Sequence, residues 1–204
     1  MTSITVFGSG HIGAAVAGIG VAAGADVQVI DRDKAKAAAI PGVTASQWSD
    51  EITGDIVILA LPYSAEASVV DDYGAQLAGK IVVDPSNPVD FGTMDLALPQ
   101  GVHSAAEELA AKLPNSKVVK AFNTDFAATL ASGTNDGAPT TVMAASDNDD
   151  AKKALQAVIE AADLRFVDAG PLKRASYMEG FGALQMVLAM NGGTQWTSGF
   201  KVVK

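Results

Sequence analysis

The sequence predicts an α/β fold, doubly wound around a mainly parallel sheet, with a C-terminal helical extension. Three observations carry that prediction. Ile4-Thr5-Val6-Phe7 is a short apolar strand that runs through Gly8-Ser9-Gly10-His11-Ile12-Gly13 into an Ala-rich helical segment. Strand-length apolar runs then alternate with helical segments along the chain, as βαβ units do. Asp55-Ile56-Val57-Ile58-Leu59-Ala60-Leu61-Pro62 is apolar on both faces, as a central parallel strand should be.

Gly8, Gly10 and Gly13 fit the G-x-G-x-x-G spacing of a dinucleotide-binding turn. The first glycine permits the tight turn, the second lets the backbone approach a pyrophosphate, and the third lets helix and strand pack closely. The helix start then offers unpaired N–H groups and a positive dipole end to phosphate. A second strand, Asp26-Val27-Gln28-Val29-Ile30, ends at Asp31, which lies 18 positions beyond Gly13. That is close to the ~20 expected of the acid that grips an adenosine ribose. Strand, glycine turn, helix, strand and terminal acid in this order define a Rossmann-like unit.

Bulk properties narrow the function. A chain of 204 residues suits one domain, read as 1–204 with 173–204 as C-terminal helix and tail. With 49% hydrophobic residues it can bury a core, and its net charge of -9 argues against nucleic acid, which needs a basic face. There is no cysteine, so disulfides and thiolate chemistry are excluded, and only His11 and His103 offer imidazole, too little for a transition-metal site. The first strand begins by about Ser3, and every apolar run falls short of the ~20 residues of a membrane span. The expectation is a cytoplasmic protein with no membrane partner.

The remaining elements follow in order. The first helix, Ala14 to Ala23, stops at Gly24, and a short helix opens at Arg32 and breaks at Pro41-Gly42. Val43-Thr44-Ala45 is strand-like, and a polar turn runs from about Ser46 to Thr53. After the central strand, a helix from Ser64 to Leu77 leads to strand Lys80-Asp84 and then Pro85-Ser86-Asn87-Pro88. A long loop from Val89 to Gly101 precedes Ser104, which with Glu107 makes a capping box for the helix Ala105–Leu113. Strand Lys117–Phe122 ends at Asn123-Thr124, and helix Phe126–Ala131 meets a turn over 133–139. Strand Thr140–Ala145, helix Asp150–Ala162 and strand Leu164–Val167 follow. The acidic run Asp147-Asn148-Asp149-Asp150 reads as a helix start rather than a metal loop. The last helix, Lys173–Asn191, carries Tyr177, Met178, Phe181, Leu184, Gln185 and Leu188 at helical spacing as its expected buried stripe. Gly192-Gly193 end it, and a tail with Trp196, Phe200, Val202 and Val203 remains.

The glycine turn, Pro85-Ser86-Asn87-Pro88, Lys120-Ala121-Phe122-Asn123-Thr124 and Asp168-Ala169-Gly170-Pro171-Leu172, in this order, give a resemblance over nearly the whole chain. The sequence resembles the coenzyme-F420-dependent NADP oxidoreductase family and its wider set of small dinucleotide-binding reductases. That resemblance implies a nicotinamide over the strand ends with a second flat ring stacked against it. Gly8, Ser9, Gly10, His11, Ile12 and Gly13 match the phosphate turn. Arg32 matches a basic residue that contacts the adenosine 2′-phosphate, while Asp31 stands where the family commonly has a small polar residue. Leu61 and Pro62 match positions beside the nicotinamide. Asn123, Thr124, Pro171 and Leu172 fall in segments near the second ring, where Asn123 replaces a histidine of the F420 enzymes.

Asp31 has two readings: a ribose ligand that favours NAD, or a cap for the short helix after it. Arg32 can pair with a 2′-phosphate through charge-assisted hydrogen bonds and favours NADP. NADP leads and NAD stays open. Asn87 and Asn123 both follow strand ends and are candidate donors to the nicotinamide amide or substrate, or else loop asparagines that satisfy turn backbone. Met178, Met186 and Met190 read as core or subunit interface. No catalytic residue is assigned, because hydride transfer between flat rings needs position and exclusion of water more than acid–base groups. The expected activity is hydride transfer between NAD(P)H and a small flat redox acceptor such as F420 or a flavin, in a possible homodimer. The alternatives are a non-catalytic dinucleotide sensor, and an imine or ketone reductase with Asp125, Tyr63 or Tyr177 as proton donor.

Overall fold

The structure, a computed structural model, describes residues 2–202; Val203 and Lys204 of the expected tail lie outside the described residues. In chain order the elements are β1 (Ser3–Phe7), α1 (His11–Ala22), β2 (Asp26–Asp31), α2 (Lys34–Ala38), β3 (Thr44–Gln47), β4 (Ile56–Leu59), α3 (Tyr63–Leu77) and β5 (Ile81–Asp84). They continue with α4 (Ala105–Lys112), β6 (Lys117–Ala121), α5 (Ala127–Ser132), β7 (Thr134–Asn135), β8 (Ala138–Pro139), β9 (Thr141–Ala145), α6 (Asp149–Ala161), β10 (Arg165–Gly170) and α7 (Ala175–Met190). A 3-10 turn, Leu172–Arg174, leads into α7.

Eight strands form one sheet in the order β10-β9-β6-β5-β4-β1-β2-β3. Its first six strands in sequence stand as 3-2-1-4-5-6, the doubly wound order, and all their pairings are parallel. β9 joins β6 antiparallel, and β10 then pairs with β9 in parallel. The order reverses between β1 and β4, so the chain leaves neighbouring strands toward opposite faces there. That switch point opens a crevice at the carboxyl ends of the strands.

Period-two alternation divides the core. In β4, Ile56 and Ile58 pack with Val16 and Ile19 of α1, whereas Val57 and Leu59 pack with Val69, Tyr73 and Leu77 of α3. Both layers are fully apolar, which is why β4 reads as an unbroken run. Val142, Leu155 and Ile159 extend the first layer under α6, and Leu109 and Val118 extend the second under α4.

One charged cluster interrupts this core. Lys120 on β6 is wholly buried, and its Nζ lies 2.8 Å from Asp84 Oδ2 on β5 and 2.8 Å from Glu179 Oε1 on α7. It also donates to the Ser86 carbonyl at 2.6 Å. Glu179 in turn accepts from the Ala105 amide at 3.0 Å, tying α7 to the start of α4. Burial alone would lower the Lys120 pKa, but Asp84 and Glu179 outweigh it and raise it. Nearby Glu66 is pushed up to about 9, by burial first and then by the Asp84 charge, so it stays neutral beside the cluster.

Several elements differ from expectation. The short second helix starts only at Lys34, with Asp33 as its cap. Ser46 and Gln47, expected in a turn, belong to β3, where Ser46 accepts from Gln28 Nε2. The 133–139 turn holds the β7–β8 hairpin, and β10 runs on to Gly170. Asn148, not an aspartate, caps α6 by accepting from the Ala151 amide at 2.9 Å. Ser104 caps α4 as expected, but the Glu107 carboxylate accepts from the Ser104 hydroxyl rather than from its amide.

The largest correction concerns α7. Tyr177 and Leu184 are 69% and 53% exposed, and Phe181 and Leu188 only half-buried. Of the expected stripe only Met178 and Gln185 are buried, beside Ala175, Glu179, Gly182, Ala183 and Ala189. Glycine is required at Gly182, because a Cβ there would fall 2.7 Å from the Asn87 side chain. Apart from Met178, small and polar residues therefore face the sheet edge, and the bulky ones turn outward.

Truncating Lys120 would leave two carboxylates buried without a counter-ion. Lys120→Met is expected to destabilise the fold by about 3–5 kcal/mol, read from the urea midpoint. An unchanged midpoint would contradict the role given to this cluster.

Candidate functional site

The site begins at the glycine turn. Gly8 sits at φ +94, and a Cβ on it would fall 2.4 Å from the Ala60 carbonyl oxygen. A Cβ on Gly13 would fall 1.9 Å from the Gly8 carbonyl oxygen, whereas one on Gly10 would meet nothing within 4 Å. Two glycines are thus demanded by the turn itself, and Gly10 faces open space. Helix α1 starts behind it with no side-chain cap, so its first-turn N–H groups remain open to a ligand.

Asp31 is fastened to this turn. Its Oδ2 accepts from the Ser9 amide at 2.8 Å and from the Ser9 hydroxyl at 2.6 Å, and its Oδ1 accepts from the Asp33 amide at 2.9 Å. Burial pushes its pKa up, but the Ser9 hydroxyl, the two amides and Lys36 outweigh that and lower it. The helix-capping reading of Asp31 passes to Asp33, whose carboxylate accepts from the Ala35 amide at 3.1 Å. Arg32 is exposed at the end of β2, its guanidinium 5.1 Å from the centroid of the Trp48 ring.

From the turn, a cavity of about 1120 Å³ extends across the strand ends. Gly10, His11 and Ile12 line one end; Leu61, Pro62, Asn87, Asn123 and Thr124 line the middle. Gln185 and Met186 close it from α7, so Met186 belongs to the cavity wall rather than to core or interface. Gly8, Ser9 and Gly13 shape the turn, with Asp31 behind it. Pro171 and Leu172 lie outside this cavity: Pro171 is exposed, and Leu172 packs into the core layer under α3 and α4. His11 is exposed at the start of α1, and His103 is exposed before α4.

The two asparagines hold each other. Asn87 Nδ2 donates to the Asn123 carbonyl at 2.9 Å, and Asn123 Nδ2 donates to Asn87 Oδ1 at 2.9 Å. Phe122, just before Asn123, adopts φ +67, a left-handed conformation rare for a bulky residue. Beyond this kink, Asn123 Oδ1, Thr124 Oγ1 and Asp125 Oδ2 are buried without a hydrogen-bond partner among the described residues. Burial raises the Asp125 pKa to about 7; the adjacent Thr124 hydroxyl lowers it without closing a hydrogen bond of ordinary geometry.

The three candidate acids separate cleanly. Tyr63 donates to Glu108 in a smaller cavity of about 180 Å³ between α3 and α4, and its pKa is raised by burial and by that carboxylate. Tyr177 is exposed beneath the Arg174 guanidinium, 5.5 Å from its ring centroid. Asp125 alone of the three lines the large cavity. Phe126, Gln185 and Trp196 also line it and escaped the sequence reading, because only the folded chain brings α5, α7 and the tail to this edge.

Residues 3–88 match the family model for NADP oxidoreductase, coenzyme F420-dependent. The chain is similar over 98% of its length to the crystal structure of a candidate F420-dependent NADP reductase from Arthrobacter sp. FB24, covering 99% of that chain with a TM-score of 0.84 and 25% identity. The family match thus covers the dinucleotide-binding part of the chain, from β1 to the loop after β5. Among curated relatives, the F420-dependent NADP reductase of Methanocaldococcus jannaschii is 33% identical over 132 residues, 62% of this chain and 58% of that protein. Metalloreductase STEAP3 of Rattus norvegicus is 31% identical over 182 residues, 86% of this chain but 35% of that protein. The chain thus spans between about a third and three fifths of the length of the curated relatives it matches.

The glycine geometry separates two variants. Gly10→Ala is expected to leave the melting temperature unchanged while weakening NADPH binding at least tenfold. Gly13→Ala is expected to lower both, because its Cβ collides with the Gly8 carbonyl with or without ligand. Thermal melts and fluorescence titrations check this, and equal behaviour of the two variants would contradict it.

Proposed function

We propose that the chain is an NAD(P)H-dependent oxidoreductase that transfers hydride between nicotinamide and a flat redox acceptor such as F420 or a flavin. One observation carries this reading: a single cavity runs from the uncapped start of α1, past the strand ends, to α7. Its volume lies above the usual range for a site holding one small ligand, roughly 300–1,000 Å³. The family and the candidate reductase from Arthrobacter support the same activity. A sensor that only binds dinucleotide leaves the α7 end of the cavity without a use.

Each wall then has a role. The open N–H groups at the start of α1, with Gly10, hold the pyrophosphate. Leu61 and Pro62 flank the nicotinamide and keep water from it. The Asn87–Asn123 pair fixes the strand-end backbone against which the second ring rests. The bound cofactor supplies the hydride, and the protein supplies position and a dry, low-dielectric site.

NADP is the favoured dinucleotide. Asp31 Oδ2 already accepts twice from Ser9, and Oδ1 accepts once from Asp33. The carboxylate is therefore poorly placed to take both ribose hydroxyls, as NAD recognition asks. Arg32 and Lys36 supply positive charge at the same end of β2, beside a 2′-phosphate. We further infer a homodimer paired through the exposed side of α7, where Tyr177, Leu184 and Met190 lie open. A cytoplasmic location follows from dependence on the cellular nicotinamide pool.

Titration with NADPH and NADH, each followed by an acceptor panel that includes F420 and FMN, tests the proposal. NADPH is expected to bind at micromolar levels, at least tenfold tighter than NADH, and to be oxidised by a ring acceptor. Failure of both dinucleotides to bind below millimolar concentration would overturn it. Arg32→Ala is expected to abolish most of the NADPH preference and to leave NADH binding within about twofold; equal loss for both would remove Arg32 from the 2′-phosphate site.

A further inference from the structure

We propose that Asp125 is the proton donor of this site, and that the acceptor is a compound with a conjugated carbon–nitrogen double bond whose nitrogen takes up that proton. The proposal rests on the hydride-transfer reading above and extends it to the acceptor's chemistry.

Asp125 follows the left-handed kink at Phe122 and lines the large cavity. It is 6% exposed, and its Oδ2 has no hydrogen-bond partner among the described residues. A buried carboxyl left unpaired is costly unless it is neutral, and a neutral carboxyl is a donor in need of an acceptor. The C-terminal tail shuts water away from its other side. Asp125 Oδ1 lies 3.9 Å from where a Cβ on Gly199 would stand, Trp196 packs on Phe126 at 4.9 Å, and the Thr129 hydroxyl donates to the Ser198 carbonyl at 3.0 Å.

The charges around it are engaged elsewhere. Lys201 of the tail pairs with Asp136 at 3.1 Å, Glu179 of α7 pairs with Lys120, and α5 carries no titratable side chain. His11, at the start of α1, is the other titratable group on the cavity wall. Among the described residues no cation pairs with Asp125, and burial raises its pKa to about 7 against the opposing pull of the Thr124 hydroxyl. A proton donor poised there suits turnover at neutral pH.

A hydride from the reduced nicotinamide forms a new C–H bond at an imine or deazaflavin carbon, or a new N–H bond at a flavin ring nitrogen, and the electron pair of the conjugated system moves to the remaining nitrogen. The Asp125 O–H bond breaks as its proton forms an N–H bond there. The nicotinamide is left oxidised, the acceptor reduced, and Asp125 a carboxylate that regains its proton from water.

Asp125→Asn keeps the shape and removes the transferable proton. Single-turnover oxidation of NADPH is followed with F420, FMN and a cyclic imine as separate arms, with a quinone lacking the C=N group as comparison. Wild-type protein is expected to slow as pH rises above about 7, with at least one C=N acceptor. The variant is expected to be about 10²–10⁴-fold slower with that acceptor, to lose the pH dependence, and to bind NADPH within about twofold of wild type. Without any ligand, carboxyl ¹³C NMR of wild type against variant should show Asp125 titrating near 7. The wild type should also lose thermal stability relative to the variant between pH 4 and 7, because the unfolded chain releases this proton near pH 4 and the folded chain retains it. A carboxyl titrating below about 5, a variant with wild-type rate and pH profile, or reduction of the quinone alone would each overturn the proposal. Failure to bind NADPH at all would instead sink the hydride-transfer reading beneath it.

Discussion

A carbonyl oxygen with no room beside it sets the geometry from which the rest follows. The Gly8 carbonyl points at Gly13 so closely that even a methyl group there would overlap it. This contact presses the first turn of α1 against the end of β1 and aims its free N–H groups along the crevice between β1 and β4. Asp31 secures the arrangement from the neighbouring strand through both donors of Ser9. Its carboxylate therefore acts first on the protein's own turn. The acid at the end of the second strand is commonly read as a ribose ligand; here its hydrogen bonds are largely committed before any cofactor arrives.

The opposite end of the cavity has a different support. Lys120, Asp84 and Glu179 join β5, β6 and α7 at one buried point, directly beneath Ser86 and Asn87. Apolar packing lacks direction, whereas an ion cluster of this kind permits one relative placement of three elements. Gly182 then allows α7 to lie against the Asn87–Asn123 pair. The floor and far wall of the cavity are thus fixed, while its roof comes from side chains of α5 and the tail. Unpaired polar atoms gather under that roof, at Asn123, Thr124 and Asp125.

How much of this was legible in the sequence depended on the range of the interaction. The glycine turn, β4 and the strand-end prolines are local patterns, since a strand buried on both faces must be apolar throughout. Alternation of strand and helix pointed to a parallel, doubly wound sheet, but the order of its strands came only with the folded chain. Helix α7 misled for a physical reason: helical spacing of Tyr177, Phe181, Leu184 and Leu188 marks an apolar face, but not what that face meets. Its packing was decided by Gly182 and Gln185, whose partners Asn87, Asn123 and Thr124 lie far back in the chain. Pro171 and Leu172 were placed near a second ring by resemblance, and the turn before α7 instead sends Leu172 into the core. Asp125 stood in plain view two positions after Asn123, but its isolation depends on the tail that covers it.

A structure of the protein with NADPH bound tests the central claim most directly. The account requires the pyrophosphate against the amides of Gly10 to Gly13, the 2′-phosphate beside Arg32, and the nicotinamide between Leu61-Pro62 and the Asn87–Asn123 pair. A dinucleotide whose pyrophosphate lies away from the start of α1, or whose nicotinamide lies outside the cavity, would contradict it.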